Sequence, residues 1–368
     1  AALALCRRSP YAGVRALEEW LARWPALPSA RRARRVLQRL GERPLFAVDL
    51  ASDLERAVFA GEDTLLVSEE EDEERPGAYL RCFDLAEGRL RWEVGPCREL
   101  EPLAVSPDGR RALVGGKSVL YAVDVLLGKE TGRCALPFGD SECLAVDWER
   151  NLVLAGGEFE GTPERGPVVL LDARDPRELR RFEAFVEEVR SVGFLPGGRG
   201  AVAADAKGLY QFSLDDSTPR RTLAKTSEER RYVRRLRWVG GRTPGLAVAY
   251  STGKVVLLPY ELGSDRWRPP VELDPVPVGA FGAGGGIEAL VATRAGDRLY
   301  VAAKQSEFGL RAWFLPGRKP PPRVLPPLAP GGLLWVALSP SERRLAVVRE
   351  GRVEVWQLPG ESLEVRGR

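Results

Sequence analysis

The densest charge in the chain lies in three runs. Glu69, Glu70, Glu71, Asp72, Glu73 and Glu74 stand side by side. Six carboxylates could chelate a divalent cation, yet this run lacks the alternating ligand spacing and the glycine of a calcium loop. Adjacent carboxylates repel one another, so the expected state is a solvated loop, with contact to a basic partner as its other use. Arg31, Arg32, Arg34, Arg35 and Arg39 crowd one stretch, and Arg230, Arg231, Arg234, Arg235 and Arg237 crowd another. Guanidinium groups so clustered can grip phosphates, but nucleic-acid binding needs a coherent patch with aromatic platforms. The 55 basic side chains are nearly cancelled by 52 acidic ones, leaving a net charge of +3. The expectation is therefore a salt-bridged or solvated face, or docking on a partner protein, and no nucleic acid.

What the chain lacks is as informative. It contains no His. That removes Ser–His–Asp and Cys–His nucleophile systems, His-bearing zinc sites and the side chain best matched to proton transfer near neutrality. No convergent catalytic set remains in view, so no catalytic residue, cofactor or metal site is expected. The glycine cluster Gly282 to Gly286 has no following Lys or helix, so it reads as a flexible loop and not a phosphate loop. The five cysteines, Cys6, Cys82, Cys97, Cys134 and Cys143, form no CxxC pair. Reduced, buried thiols are expected, with a Cys134–Cys143 disulfide as the alternative.

Composition bounds the class. The chain of 368 residues is 44% apolar and 29% charged, as in water-soluble globular proteins. No apolar stretch approaches the ~18 residues of a membrane helix. Asn151 is the only Asn and Ile287 the only Ile; Met is absent. Abundant Arg with scarce Lys, Asn and Ile points to a bacterial, GC-rich genome, and few thermolabile residues fit a heat-tolerant source. Residues 1–6, AALALC, lack the basic flank of a signal segment, so a cytoplasmic location is expected; a leader upstream of Ala1 would make it periplasmic or envelope-bound.

The elements that must position these charges follow from periodicity. Ser9 and Pro10 open a helix whose face carries Val14, Leu17, Leu21 and Trp24; Pro25 and Pro28 end it. Ser29 can cap a second helix, stopped by Gly41. Residues 1–43 thus read as a helical hairpin, with Trp20 and Trp24 able to cap a face of the following domain or dock a partner helix. Residues 44–368 then change period. Runs beginning at Ala57, Ala104, Ala145, Val192, Leu236, Leu290 and Val336 each hold an apolar stretch, a polar turn and a second apolar stretch. After each comes an apolar strand, a turn rich in Gly, Pro or Asp, and a more polar strand. Seven units of four strands fill about 52–366, which predicts an all-β, seven-bladed β-propeller of four-stranded antiparallel blades. Small apolar strands such as ALVGG and AVAAD are expected innermost.

Ser106-Pro107-Asp108-Gly109, Tyr121 to Asp124 with Gly128-Lys129, and Arg352 to Leu358 resemble the WD40-like and YVTN-like propeller repeats. Without His, the Gly-His dipeptide of WD40 repeats and its buried His–Asp network cannot exist here. Phe83 to Gly95, with Asp84, Gly88 and Trp92, is similar to the docking repeat of quinone-cofactor propellers, but Trp92 has no counterpart in the other blades and reads better as stacking between blades. Pro44 to Leu50 is placed to clasp the last blade, in competition with Ser362 to Arg366. The functional expectation is a non-enzymatic scaffold for protein–protein interaction within a larger assembly. The rivals are a hydrolase or lyase with a carboxylate-lined central channel, favoured if three or more carboxylates converge at its mouth, and an exported ligand sensor.

Overall fold

A computed structural model of the chain describes residues 9–24, 29, 33, 36, 44–50, 54–69, 77–158, 167–183, 185, 188–198, 200–216, 221–225, 232–241, 244–262, 264–273, 286–303, 310–315, 323–324 and 333–358. Seven antiparallel sheets follow one another around a ring. Blade 1 runs Leu54–Phe59, Thr64–Glu69, Ala78–Asp84, Arg89–Cys97, and blade 2 runs Leu100–Val105, Arg111–Gly116, Val119–Asp124, Lys129–Ala135. Blades 3, 4, 5, 6 and 7 begin at Asp140, Ser191, Val233, Ile287 and Leu333. In blade 5 the outer edge is shared by Arg266–Trp267 and Val271–Leu273, both paired with Val255–Glu261. No helix among the described residues is long and apolar enough to cross a membrane.

First strands of neighbouring blades pack against one another all round the axis, so they are the innermost. This corrects the expectation for ALVGG and AVAAD: Arg111–Gly116 and Gly200–Asp205 are second strands. The reason is the taper of the ring. A second strand is covered on both faces by adjacent blades and on both edges by its own sheet, so Gly200–Asp205 is buried throughout. A first strand has one free edge on the central channel, and Leu100–Val105 is half-open along its length. Outer strands are polar and exposed, as expected; Lys129–Ala135 is an example. Seven apolar clusters fill the seven blade interfaces.

Closure uses the N-terminal clasp. Phe46–Asp49 is the outer strand of blade 7, with Phe46 opposite Val355 and Asp49 opposite Arg352. Arg352 reaches Asp49 at 2.5 Å and Glu354 at 2.9 Å. Residues 359–368, including the competing strand, lie outside the described residues. The helix α1, Pro10–Arg23, seals the same seam. Ser9 caps it, accepting from the Ala12 amide at 3.4 Å, while its own hydroxyl donates to the Ala86 carbonyl at 2.9 Å. Tyr11, Val14 and Leu17 enter the cluster between blades 7 and 1. Of the second predicted helix only Ser29, Ala33 and Val36 are described; the Ala33 amide donates to the Ser29 carbonyl, one helical step.

A buried arginine ties the seam together. Arg344 of blade 7 donates to Glu62 of blade 1 at 2.7 Å and to Glu18 of α1 at 3.5 Å, and lies 4.5 Å over the Tyr11 ring. Tyr11 donates to the Glu62 carbonyl, and Gln357 donates to Glu18 at 2.9 Å.

The turns joining first and second strands interlock. In the SPDG turn, Ser106 donates to Asp108 and accepts from the Arg111 amide, and Gly109 takes a φ of 70°. A Cβ on Gly109 would stand 1.9 Å from the Ala60 carbonyl oxygen of blade 1. Asn151, the only asparagine, sits at φ 57° in the equivalent turn of blade 3, a conformation Asn tolerates better than most residues. Trp92 does bridge blades: its indole N–H donates to the Val125 carbonyl of blade 2 at 2.8 Å. Cys134 lies on an outer strand and Cys143 on an inner one, and both are free thiols, so the alternative disulfide is overturned.

Two outcomes are expected. Arg344→Ala removes the guanidinium that joins Glu62 and Glu18, leaving Glu18 with Arg343 and Gln357 and Glu62 with Ser341, and lowers unfolding free energy by about 2 kcal/mol, read by chemical denaturation. Gly109→Ala, combining positive φ with a backbone clash, lowers it by more than about 1 kcal/mol in the same assay.

Candidate functional site

Every first strand enters the ring at the same mouth of the channel, and six of the seven carry a register shift there. The residues skipped are Glu55, Glu101 with Pro102, Glu142, Arg234, Glu288 and Leu334. In blade 4 the matching residue is Arg190, whose amide bonds the Ala204 carbonyl just before the strand begins. A bulge breaks strict alternation and re-aims side chains. Here it places one residue per blade around the mouth, six of them charged: an acidic arc in blades 1 to 3, a basic arc in blades 4 and 5, then Glu288.

The charges are knitted into pairs. Arg56 meets Glu55 at 2.9 Å and Glu101 at 3.7 Å, and its guanidinium lies 4.4 Å over the Trp335 ring. Arg234 meets Glu288 at 2.5 Å; Arg235 meets it at 3.7 Å and donates to its carbonyl at 2.7 Å. Arg190 pairs with Glu188 and lies 4.7 Å over Tyr232. Burial pushes the Glu101 carboxyl up to about 7; Glu142 and Glu55 add to the shift, Arg56 and Arg235 oppose it. Glu188 is likewise raised to about 7 by burial, then by repulsion from Glu142, against the pull of Arg190.

Below the mouth the channel opens into a cavity of about 840 Å³ lined by first-strand side chains, among them Leu144, Val192, Phe194, Leu290 and Trp335. Three or more carboxylates do converge at its mouth. Among the described residues, no group of three or more Asp, Glu, Cys or His side chains is placed to hold a metal ion.

The residues singled out from sequence fare differently. Glu69 is no part of a solvated loop: it ends the second strand of blade 1, buried, 2.5 Å from Arg81. Glu70, Glu71, Asp72, Glu73 and Glu74 lie outside the described residues, as do Arg31, Arg32, Arg34 and Arg35. Trp20 packs half-buried on the seam cluster, whereas Trp24 is exposed at the end of α1, 5.6 Å from the Arg23 guanidinium. Arg234 and Arg235 are salt-bridged, as one expectation had it, but on the channel wall. The mouth glutamates were missed. Their signal is a recurring apolar–charged step, Leu54-Glu55, Leu100-Glu101, Val189-Arg190, Val233-Arg234 and Ile287-Glu288, present in five of the seven units.

No protein-family model matches the chain, and no curated protein matches its sequence. Its fold does have counterparts among solved structures. A chain in the crystal structure of the Mitotic Checkpoint Complex superposes with a TM-score of 0.67 at 15% identity, over 86% of this chain and 92% of that one. At that identity the likeness establishes the propeller fold, in line with the WD40-like repeat pattern, and nothing about activity.

The raised carboxyls set a pH dependence. With folded values near 7 against an ordinary 4.5, Glu101 and Glu188 contribute stability that is full below about 4.5 and is lost as pH rises through about 7. Thermal melting from pH 5 to pH 8 should show that loss, and Glu101→Gln should diminish it.

Proposed function

We propose that the protein is a non-enzymatic scaffold whose rigid ring presents one channel mouth and the adjoining loops to a protein partner. The observation that carries this reading is the mouth itself. Its carboxylates are set against Arg56, Arg190, Arg234 and Arg235, giving two arcs of opposite sign on a surface that closure and interlocked turns hold still. Patterned charge of this kind steers encounter and fixes register more than it adds affinity. The partner is one with complementary charged groups at matching spacing. An assembly rather than a lone chain is the setting this surface suits.

A second reading draws on the convergence of Glu101, Glu142 and Glu188. A protonated carboxyl beside an ionised one is the arrangement that general acid–base hydrolysis or elimination employs. The scaffold reading is tested by partner recovery. Protein carrying Arg56→Glu and Arg234→Glu, and separately Glu101→Gln, is used with wild type to recover partners from the producing cells at low salt. The scaffold reading expects a stoichiometric partner held by wild type, released by added salt and lost from the charge reversal. A partner retained equally by all three, or none at all, overturns it.

A further inference from the structure

Counting three residues on from each mouth position gives the next ring down the channel: Val58, Ala104, Ala145, Gly193, Arg237, Val291 and Ala337. All seven line the central cavity. Six are small and apolar, as the narrow inner radius demands. The seventh is an arginine. Arg237 is open to channel water, and among the described residues it has no ion-pair or hydrogen-bond partner. Its place inside the channel partly desolvates it, which lowers its pKa, with no carboxylate opposing. The other charged groups of the cavity stand at the two mouths or are already paired. Glu142 and Arg190 belong to the upper ring, Glu149 and Arg294 to turns at the far rim, and Asp147 binds Arg150 at 2.5 Å.

In the open channel only water answers this charge, and an oxyanion that displaced that water would form a charge-assisted pair with it. We propose that the central channel is a binding site for a small organic anion, an apolar body bearing one carboxylate or phosphate, with Arg237 as its anchor. The guanidinium fork matches either oxyanion with two parallel hydrogen bonds. Leu144, Val192, Phe194, Leu290 and Trp335 supply the apolar walls, and 840 Å³ lies within the usual range of small-molecule sites. This site is independent of the partner surface at the mouth, because it sits deeper and uses none of the paired charges.

The test titrates the full chain with benzoate and with phenyl phosphate, which separate a carboxylate from a phosphate head, and with benzylamine as the cationic match. Calorimetry reads binding, and tryptophan fluorescence reports it locally through Trp148, Trp238 and Trp335 on the cavity wall. Saturable binding of one or both anions is expected, absent for benzylamine and weakened about tenfold or more in Arg237→Gln, in line with loss of a charge-assisted hydrogen bond. Arg237→Lys, which keeps the charge but not the fork, should fall between. Because Arg237 supports no contact in the fold, the melting temperature of R237Q should match or exceed that of wild type. The site is overturned if neither anion binds wild type saturably, if R237Q binds as well as wild type, or if benzylamine binds as tightly as benzoate.

Discussion

A ring of seven wedge-shaped sheets has one seam that the chain does not cross in sequence order, and everything else depends on it. If blades 1 and 7 part, their facing surfaces meet water, and the inner strands lose the neighbours that hold them at a fixed radius. This protein places three reinforcements at that seam. The clasp Phe46–Asp49 pairs with Arg352–Gln357, so closure carries main-chain hydrogen bonds as well as apolar contact. Helix α1 adds Tyr11, Val14 and Leu17 to the cluster between the two blades. Arg344 then joins blade 7, blade 1 and α1 through Glu62 and Glu18. Breaking one partner of such a buried pair is far more damaging than never having built it, so the network favours one closure over slipped alternatives.

Closure also explains why the channel is chemically distinctive. The inner strands approach the axis closely, and in six of the seven a bulge at the start lets the chain turn in from the neighbouring blade. In those six the irregularity turns a side chain toward the mouth, and in blade 4 Arg190 takes that place just before its strand. One structural device therefore yields a ring of charges, and burial beside it, with repulsion from Glu142, raises the Glu101 and Glu188 carboxyls. Arg56, Arg234 and Arg235 keep the ring from being repulsive. Beneath it, Arg237 breaks an otherwise small and apolar ring, with no counter-ion among the described residues.

Seven units, four strands each, and the polar outer strands are all readable in the amino-acid order, because hydrophobic alternation and turn chemistry are local. Ser106 to Gly109 announces a tight turn by its residue types, and the structure uses it as one. The bridging role of Trp92 follows from its isolation on a polar strand. What local pattern misjudged was depth. ALVGG and AVAAD are strongly apolar and buried, and apolarity tracks coverage, which is greatest one strand out from the channel. Glu69 fails for a related reason: counted along the chain it opens an acidic run, but it ends a strand and finds Arg81 across the sheet.

The sequence by itself determined the repeat, the blade count and the exclusion of histidine chemistry, since each depends on residue identity and spacing alone. Which strand closes the ring, which glutamates meet at its mouth, and that Arg237 has no partner among the described residues are set by the closed fold. Those facts join residues from blades far apart in the chain, at distances set by the radius of the closed ring, and no local pattern encodes that radius.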